Sequence, residues 1–382
     1  MVDLEYIEID GLLGGKSTRI EFNHDVKIFI GANGSGKTTV LKVIYSLLNK
    51  DWEYLEKVSF DAITVKFKSM DEATIFKSDV YAYLLDSKPE FWLLELDMLP
   101  RVENACDIKV SDYIHLSEIK MEEELRKLCK AKRVREGVQE KFIEESKDFR
   151  IQQLAENGRK EHIEELNKYL LKYDSIEIVY LPTYRRIEEN LEITHNQFLN
   201  CNMSDVKANV SDLMSKIKDI VYQKEQQISS DIFEQEASKV LNEFKELRKN
   251  IKAERALFDD KIHSFVKICS KYLADKQFIY NERELMFKIV KKDDTDVTIE
   301  LDTLSSGEQQ IVSLFCQLYL TDIKDKIIIM DEPETSLSVW WQETLLVDIM
   351  KSKRCKLLVV ATHSPFIFDN EYNEYAEKLI LQ

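Results

Sequence analysis

Residues 31–38 read Gly-Ala-Asn-Gly-Ser-Gly-Lys-Thr, and this stretch decides the fold class. It fits the pattern G-x-x-x-x-G-K-[ST], in which glycines let successive backbone N–H groups close around phosphate oxygens. The pattern needs a strand before it and a helix after it, and the apolar runs on its two sides supply both. The alternative, a glycine-rich turn without a ligand, leaves this context unexplained. The stretch therefore predicts an α/β protein that binds a nucleoside triphosphate.

Individual residues of this loop have expected roles. Lys37 is expected to reach the β- and γ-phosphates of ATP and to act in catalysis, and the Thr38 hydroxyl is expected to bind Mg²⁺. The start of the following helix adds a favourable partial charge for the phosphates. The predicted cofactors are therefore ATP and Mg²⁺. The predicted ATP-binding residues of the loop are Asn33, Gly34, Ser35, Gly36, Lys37, Thr38 and Thr39.

A second signal lies at residues 327–332, Ile-Ile-Ile-Met-Asp-Glu, a short apolar strand that ends in two carboxylates. A buried parallel strand delivers its C-terminal residues to the ligand edge of a sheet. We expect Asp331 to bind Mg²⁺ and Glu332 to orient and deprotonate the attacking water. Acidic residues at a strand end more often only face solvent, but the phosphate loop favours the functional interpretation.

Thr362-His363-Ser364-Pro365 follows another apolar strand at 356–361. A histidine at that strand tip can donate a hydrogen bond to the γ-phosphate, so His363 is the third predicted catalytic residue. A lone histidine would normally be a surface or core residue. The two preceding motifs favour the catalytic interpretation here.

The bulk composition limits the protein classes. The 382 residues are 44% hydrophobic and carry a net charge of -16, which argues against broad nucleic-acid binding. A basic run is the best candidate for a DNA contact, although a solvated helix face is the commoner meaning of such a run. It comprises Arg126, Lys127, Lys130, Lys132, Arg133 and Arg135.

The six cysteines include no C-x-x-C pair, and no secretion signal or membrane span is visible. The sequence thus predicts a cytoplasmic protein with reduced thiols and no membrane partner.

The chain is predicted to be a split core. Residues 1–115 form the N-terminal part of the core, residues 116–277 a helical insertion interrupted by a core strand at 176–186, and residues 278–382 the C-terminal part. Within the insertion, apolar residues between 206 and 251 are spaced by threes and fours. Two interpretations stand: a short coiled-coil hairpin, or amphipathic helices packed on the core.

Leu304-Ser305-Ser306-Gly307-Glu308 resembles the signature loop of ABC-type ATPases, and the four motifs follow the order of that superfamily. The chain is most similar to its SMC/RecF/OLD-like branch. The resemblance implies an ABC-type P-loop ATPase head with a mixed sheet core, an antiparallel β subdomain and a helical insertion. It also implies a homodimer or higher homo-oligomer, in which Ser305, Ser306, Gly307 and Glu308 of one copy contact ATP held by the other.

Two further stretches, 331–342 (DEPETSLSVWWQ) and 180–186 (YLPTYRR), resemble stand-alone AAA-family ATPases of bacterial anti-phage systems. That resemblance implies a separate effector, a nuclease or a toxin, and no nuclease domain in this chain. Trp340 and Trp341 are expected to be packing residues in the core. Many relatives place a Mg²⁺-contacting glutamine in the first lobe, but the first glutamine here is Gln139. Arg185 can take that place and contact the nucleotide, or it can be a structural ion-pair partner.

Three functions compete at this point. The first is an ATP-hydrolysing switch that controls an effector in anti-phage defence. The second is a RecF-like or SMC-like repair ATPase that binds DNA directly, which the net charge disfavours. The third, the nucleotide-binding subunit of a transporter, is disfavoured by the missing first-lobe glutamine and the long insertion.

Overall fold

The computed structural model describes residues 2–87, 98–116, 118–182, 215, 260–281, 286–321 and 325–382. The chain divides into two compact units. Unit 1 comprises Met1–Ile178 together with Glu377–Gln382, and unit 2 comprises Val179–Ala376.

Unit 1 contains an antiparallel sheet of four strands in the order β2-β1-β4-β5. Alternating apolar residues on β1 form the buried face, where Ile7 and Ile9 are completely inaccessible to solvent. A tight turn at Leu12–Gly15 joins the first two strands. The strands of this sheet are β1 (Leu4–Gly11), β2 (Lys16–Glu21), β4 (Ala62–Phe67) and β5 (Ala73–Phe76). A further strand of unit 1, β3 (Val26–Ile30), is not part of it.

Seven helices of at least six residues lie in the described ranges of unit 1. The apolar residues of the fourth, fifth and sixth pack into one core cluster that includes Met121, Leu125 and Phe142. Their spacing by threes and fours places them on one face of each helix. The helices are α1 (Lys37–Leu48), α2 (Trp52–Lys57), α3 (Lys77–Ser87), α4 (Met98–Cys106), α5 (Glu118–Ala131), α6 (Glu136–Asn157) and α7 (Lys160–Leu170).

Residues 377–382 complete unit 1 from far along the sequence. The N–H of Ser17 donates to the carbonyl of Gln382 (2.7 Å), and the N–H of Gln382 donates back (3.0 Å). The N–H of Leu379 donates to the carbonyl of Ile30 at 3.1 Å. The short strand β12 (Ala376–Lys378) lies next to β3. The N-terminal unit therefore includes the C-terminal residues of this chain.

Unit 2 is built around the parallel pair β10 and β11, in which Ile328 lies opposite Leu358. Both strands are buried almost throughout, as expected for parallel strands covered on both faces. A separate antiparallel sheet has the order β7-β8-β9, and β6 is the neighbour of β10. The elements are β6 (Ile176–Leu181), which crosses the unit boundary, β7 (Lys276–Asn281), β8 (Met286–Lys291), β9 (Thr298–Ile299), β10 (Asp325–Asp331), β11 (Cys355–Thr362), a helix at 260–272 (α8), α9 (Ser306–Leu320) and α10 (Val339–Lys351).

The predicted fold class, α/β with parallel and antiparallel strands, is confirmed. Of the strand predicted at 176–186, the structure has β6 up to Leu181. Residues 183–186 and the apolar pattern at 206–251 lie outside the described residues, apart from residue 215. The three predicted segment boundaries stay a prediction. Within the described ranges, no helix has the length and apolar character needed to cross a membrane.

Two smaller expectations meet different outcomes. In the part of the basic run that lies on α5, Arg126 pairs with Glu122 and Glu140, and Lys127 pairs with Glu124. These pairs favour the solvated helix face over a DNA contact. The expectation of a core position is wrong for Trp340, which is 48% exposed because it lies in the first turn of α10 at the surface.

Candidate functional site

The backbone of the loop at 31–38 in unit 1 takes a left-handed conformation at two glycines. Gly34 and Gly36 have φ angles of 76° and 87°, a region that side chains disfavour. The Nζ atom of Lys37, a residue only 5% exposed, donates to the carbonyls of Gly31 (2.9 Å) and Ala32 (3.1 Å). The lysine thus spans the loop and fixes its two ends.

The first turn of α1 is arranged to receive an anion. The residue before the helix is Gly36, which has no side chain to cap the N–H groups of that turn. A helix start that lacks a side-chain cap offers its N–H groups and partial positive charge to a ligand. The hydroxyl of Ser35 is buried and has no hydrogen-bond partner within the described residues. The loop therefore has both the charge and the donors that phosphate oxygens need.

Gly36 is also the most crowded position of the loop. A Cβ added there would lie 2.6 Å from Cδ1 of Leu381 and 3.0 Å from Cδ1 of Leu13. At Gly34, in contrast, a Cβ would meet nothing within 4 Å. The loop thus packs tightly on one side and is open on the other.

In unit 2, β10 delivers Asp331 and Glu332 to its C-terminal end. Asp331 is 2% exposed, whereas the side chain of Glu332 is 33% exposed. Glu332 has a φ of 51°, and its N–H donates to the carbonyl of Ala361 at 2.8 Å, continuing the ladder with β11. A glutamate held in this strained conformation is typical of a functional site.

His363, immediately after β11, lies beside Glu332. Its Nε2 is 3.4 Å from Oε1 of Glu332, close enough for an ion pair when the ring is protonated. The backbone around His363 is held by Glu334, whose Oε1 accepts from the N–H groups of His363 (2.7 Å) and Ser364 (3.2 Å). Unit 2 therefore brings two predicted catalytic residues together.

The signature segment begins α9 with a capping box. Ser305 accepts a hydrogen bond from the N–H of Glu308, and the Glu308 carboxylate accepts in return from the N–H of Ser305 at 2.8 Å. The other carboxylate oxygen of Glu308 pairs with Nζ of Lys276 at 2.8 Å. Ser305 and Ser306 are exposed, while Gly307 and Glu308 are buried. The Ser305 hydroxyl is thus engaged in the capping box, and the exposed Ser306 follows it on a fixed helix start.

The loop after β10 contacts the start of α9. A Cβ on Gly307 would lie 2.3 Å from the carbonyl oxygen of Ser336, so only glycine fits there. The amide of Gln310 donates to the carbonyl of Pro333 at 3.3 Å. Ser338, at the end of this loop, caps α10 through the N–H of Trp341.

A family model described as an AAA ATPase domain, AAA_15, matches residues 3–368. The chain belongs to this family of ATPase domains. The match includes the phosphate loop, the acidic end of β10 and His363, and it confirms the prediction of an ATPase. No curated protein matches this ATPase by sequence.

Solved structures similar to the ATPase include three heads of Smc proteins, each at 13% identity. An SmcHead bound to the C-winged helix domain of ScpA has a TM-score of 0.42, with 99% of this chain and 97% of that chain covered. An Smc head with an extended coiled coil bound to the C-terminal domain of ScpA from Pyrococcus furiosus has a TM-score of 0.38, with coverages of 100% and 96%. The SMC head domain from Thermotoga maritima has a TM-score of 0.39, with coverages of 98% and 92%.

The site residues of the ATPase fall into two groups. Unit 1 gathers the seven loop residues from Asn33 to Thr39. Unit 2 gathers Asp331, Glu332 and His363 at neighbouring strand ends, and the signature residues at the start of α9. Arg185 lies outside the described residues, so its role stays a prediction.

Neither Glu334 nor Lys276 is among the site residues predicted from the sequence. One feature of the sequence could have indicated Glu334: it is an acidic residue two positions after the predicted base Glu332, within the segment 331–342. Lys276 had no such feature, because its partner Glu308 lies 32 residues further along the chain.

Proposed function

We propose that this ATPase is a molecular switch that hydrolyses ATP to ADP and phosphate with Mg²⁺. In unit 1, Lys37 and the uncapped first turn of α1 hold the β- and γ-phosphates. The Thr38 hydroxyl and the Asp331 carboxylate are hard oxygen donors, the ligand type that Mg²⁺ prefers. Mg²⁺, when bound, neutralises charge on the phosphate oxygens.

Hydrolysis is assigned to Glu332 and His363. The partly exposed carboxylate of Glu332 can accept a proton from the attacking water, and among the described residues no backbone N–H donates to it, in contrast to the carboxylate of Glu334. His363 lies 3.4 Å from Glu332 and can donate to the γ-phosphate while contacting that carboxylate. Glu332 therefore holds the attacking water, and His363 loses its hydrogen bond when the γ-phosphate leaves.

We further propose that two copies close over ATP. The observation that supports this is the exposure of Ser305 and Ser306 on a helix start whose Gly307 and Glu308 are buried. Such a start suits a phosphate that a second copy brings, because the exposed Ser306 can supply a hydroxyl donor and the partial positive charge of a helix start favours anions. Ser306 and Gly307 of one copy would then contact the triphosphate in the loop of the other. Because ATP contacts both copies only in the closed state, it shifts the equilibrium towards closure.

The switch is proposed to control a separate effector protein, a nuclease or toxin, in anti-phage defence in the cytoplasm. The motifs at 331–342 and 180–186 support this choice. The alternative, a RecF-like or SMC-like repair ATPase, needs a basic surface for DNA. The ion pairs of Arg126 and Lys127 reduce the charge of the best candidate for that surface.

The experiment uses the variant Glu332→Gln, which should bind ATP but hydrolyse it slowly. Light scattering with ATP and Mg²⁺ is expected to give twice the mass of the nucleotide-free protein, and adding Ser306→Arg should return the protein to the smaller mass. A nucleotide-bound E332Q that keeps the nucleotide-free mass refutes the sandwich. Retention of DNA by the dimer, with no protein partner, favours the repair function instead.

A further inference from the structure

Glu334 makes a contact that the proposed mechanism does not use. Its Oε1 accepts two backbone hydrogen bonds, from the N–H of His363 at 2.7 Å and from that of Ser364 at 3.2 Å. A carboxylate that receives two N–H groups from one turn fixes the direction of that turn, because both donors converge on one atom. The turn in question carries the histidine next to Glu332.

The segment that bears Glu334 is itself immobilised. The N–H of Thr335 donates to the carbonyl of Glu332 (3.2 Å), and the N–H of Leu337 donates to that of Glu334 (3.0 Å). The amide of Gln342 donates to the carbonyl of Leu337 at 2.9 Å and accepts from the hydroxyl of Ser364 at 2.6 Å. The turn at 363–364 is thus tied to a rigid loop by two side chains, Glu334 and Gln342.

The same loop contacts the signature helix. Its Ser336 carbonyl lies against Gly307, and its Pro333 carbonyl accepts from Gln310. A shift of the start of α9 would therefore move the loop that holds Glu334. A packed loop of this kind transmits displacement, since close-packed groups cannot deform independently.

We propose that Glu334 is a positioning residue that holds His363 against Glu332 and couples His363 to the signature helix of the same chain. The proposal rests on the function proposed above. When a second copy contacts Ser306, the displacement is then transmitted to His363 through residues 333–337 and the Glu334 carboxylate. Binding of a second copy to the signature segment of one chain would in this way change the position of His363 in that same chain.

We expect the contact to require an acceptor at the position of Oε1 of Glu334 more than a negative charge. Only Oε1 of Glu334 receives the two N–H groups, and Oε2 is buried with no hydrogen-bond partner in the described part of the chain. Glutamine keeps an Oε1 acceptor of the same reach, whereas alanine removes it. The pair Glu334→Gln and Glu334→Ala therefore separates positioning from charge.

The first test compares steady-state ATP hydrolysis of these two variants. We expect E334A to lower kcat about tenfold or more, with KM for MgATP within about twofold, because the phosphate-binding loop is untouched. E334Q is expected to stay within about threefold of the wild type in kcat. An unchanged kcat in E334A, or an equal loss in E334Q, overturns the proposal.

A second test asks whether Glu334 acts through His363. Adding E334A to His363→Ala should lower kcat no further than H363A alone, because the group that Glu334 positions is already gone. Independent effects that multiply in the double variant would show that Glu334 acts otherwise.

A third measurement does not depend on turnover. Hydrogen exchange of the amides at 363 and 364 should become faster in E334A and remain slow in E334Q. Equal protection of these two amides in both variants refutes the positioning role of Glu334, even if the wild type hydrolyses no ATP. Conversely, absence of hydrolysis in the wild type, with these amides protected by Glu334, overturns only the proposed function.

Discussion

Gly307 lies so close to Ser336 that a methyl group on its Cα would stand 2.3 Å from the carbonyl oxygen. The contact joins the start of the signature helix α9 to the loop after β10. Both belong to unit 2, so the relationship holds within one compact body. It makes this glycine a packing requirement and not only a part of a motif.

We expect Gly307→Ala to destabilise the fold by about 1–3 kcal/mol, the usual cost of forcing a methyl group into a filled space. ATP hydrolysis should fall as well, because the loop bearing Glu334 must move. Urea unfolding and an ATPase assay measure the two effects. Gly137→Ala is the matched control: a Cβ at Gly137, in the first turn of α6, meets nothing within 4 Å, so little change is expected. Equal stability of G307A and G137A would contradict the prediction.

Lys37→Met should weaken ATP binding by more than about tenfold, since it removes the ammonium that spans the loop and that we propose to contact the phosphates. Titration with a fluorescent ATP analogue measures the effect. Lys42→Met, one turn further along α1, is the control and should bind as the wild type does. Wild-type affinity in K37M would remove the loop from the nucleotide site.

The pair Lys276–Glu308 offers a test of the signature helix start. The side chains are 19% and 7% exposed, so removing the lysine leaves a nearly buried carboxylate without its cation. We expect Lys276→Met to destabilise the protein by about 3 kcal/mol, measured by urea unfolding. Lys127→Met, which breaks the exposed pair with Glu124, should destabilise the protein far less. Similar losses in the two variants would argue against a special role for Lys276.

The environment of Asp3 lets us predict how the stability of the fold depends on pH. Burial alone would raise the pKa of Asp3, but hydrogen bonds from Lys172, Tyr173, Ser69 and Tyr169 outweigh burial and hold that pKa far below its ordinary value of 3.8. A carboxyl with a depressed folded-state pKa contributes stability that is complete above the unfolded pKa. That contribution is lost as the pH falls below about 4, through the folded pKa.

Asp3→Asn should therefore flatten the loss of unfolding free energy below about pH 4 and cost about 1–3 kcal/mol at pH 7. Urea unfolding at a series of pH values measures both. Asp174→Asn, which breaks an exposed pair with Lys50, is expected to change the pH 7 value by less than about 0.5 kcal/mol. An unchanged acid slope in D3N would contradict the assignment.

The local signals of the sequence were sufficient for the strands and motifs. The loop at 31–38 and the run ending in Asp331 are read from adjacent residues, because glycine φ angles and apolar runs act over a few positions. The family match then confirmed the ATPase. The exposure of Trp340 was missed because an apolar residue at a helix start looks the same in sequence whether it is covered or not.

The long-range contacts left no such signal. Asp3 meets Ser69 and Lys172, and Glu334 meets His363, across separations of 66, 169 and 29 residues. The sequence around a single polar residue does not indicate a hydrogen-bond partner so far away, because the topology of the fold decides which residues meet. The same reason hides the pairing of Ser17 with Gln382.

That last pairing has a consequence for synthesis in the cell. Unit 1 ends its first segment at Ile178 and resumes only at Glu377, so 377 − 178 = 199 residue steps separate its two parts. A ribosome adding roughly 5–20 residues per second needs on the order of 10–40 s to cross that interval. During this time the nascent N-terminal portion exposes the edge that Leu379 and Gln382 later cover, a window in which chaperones would have to shield it.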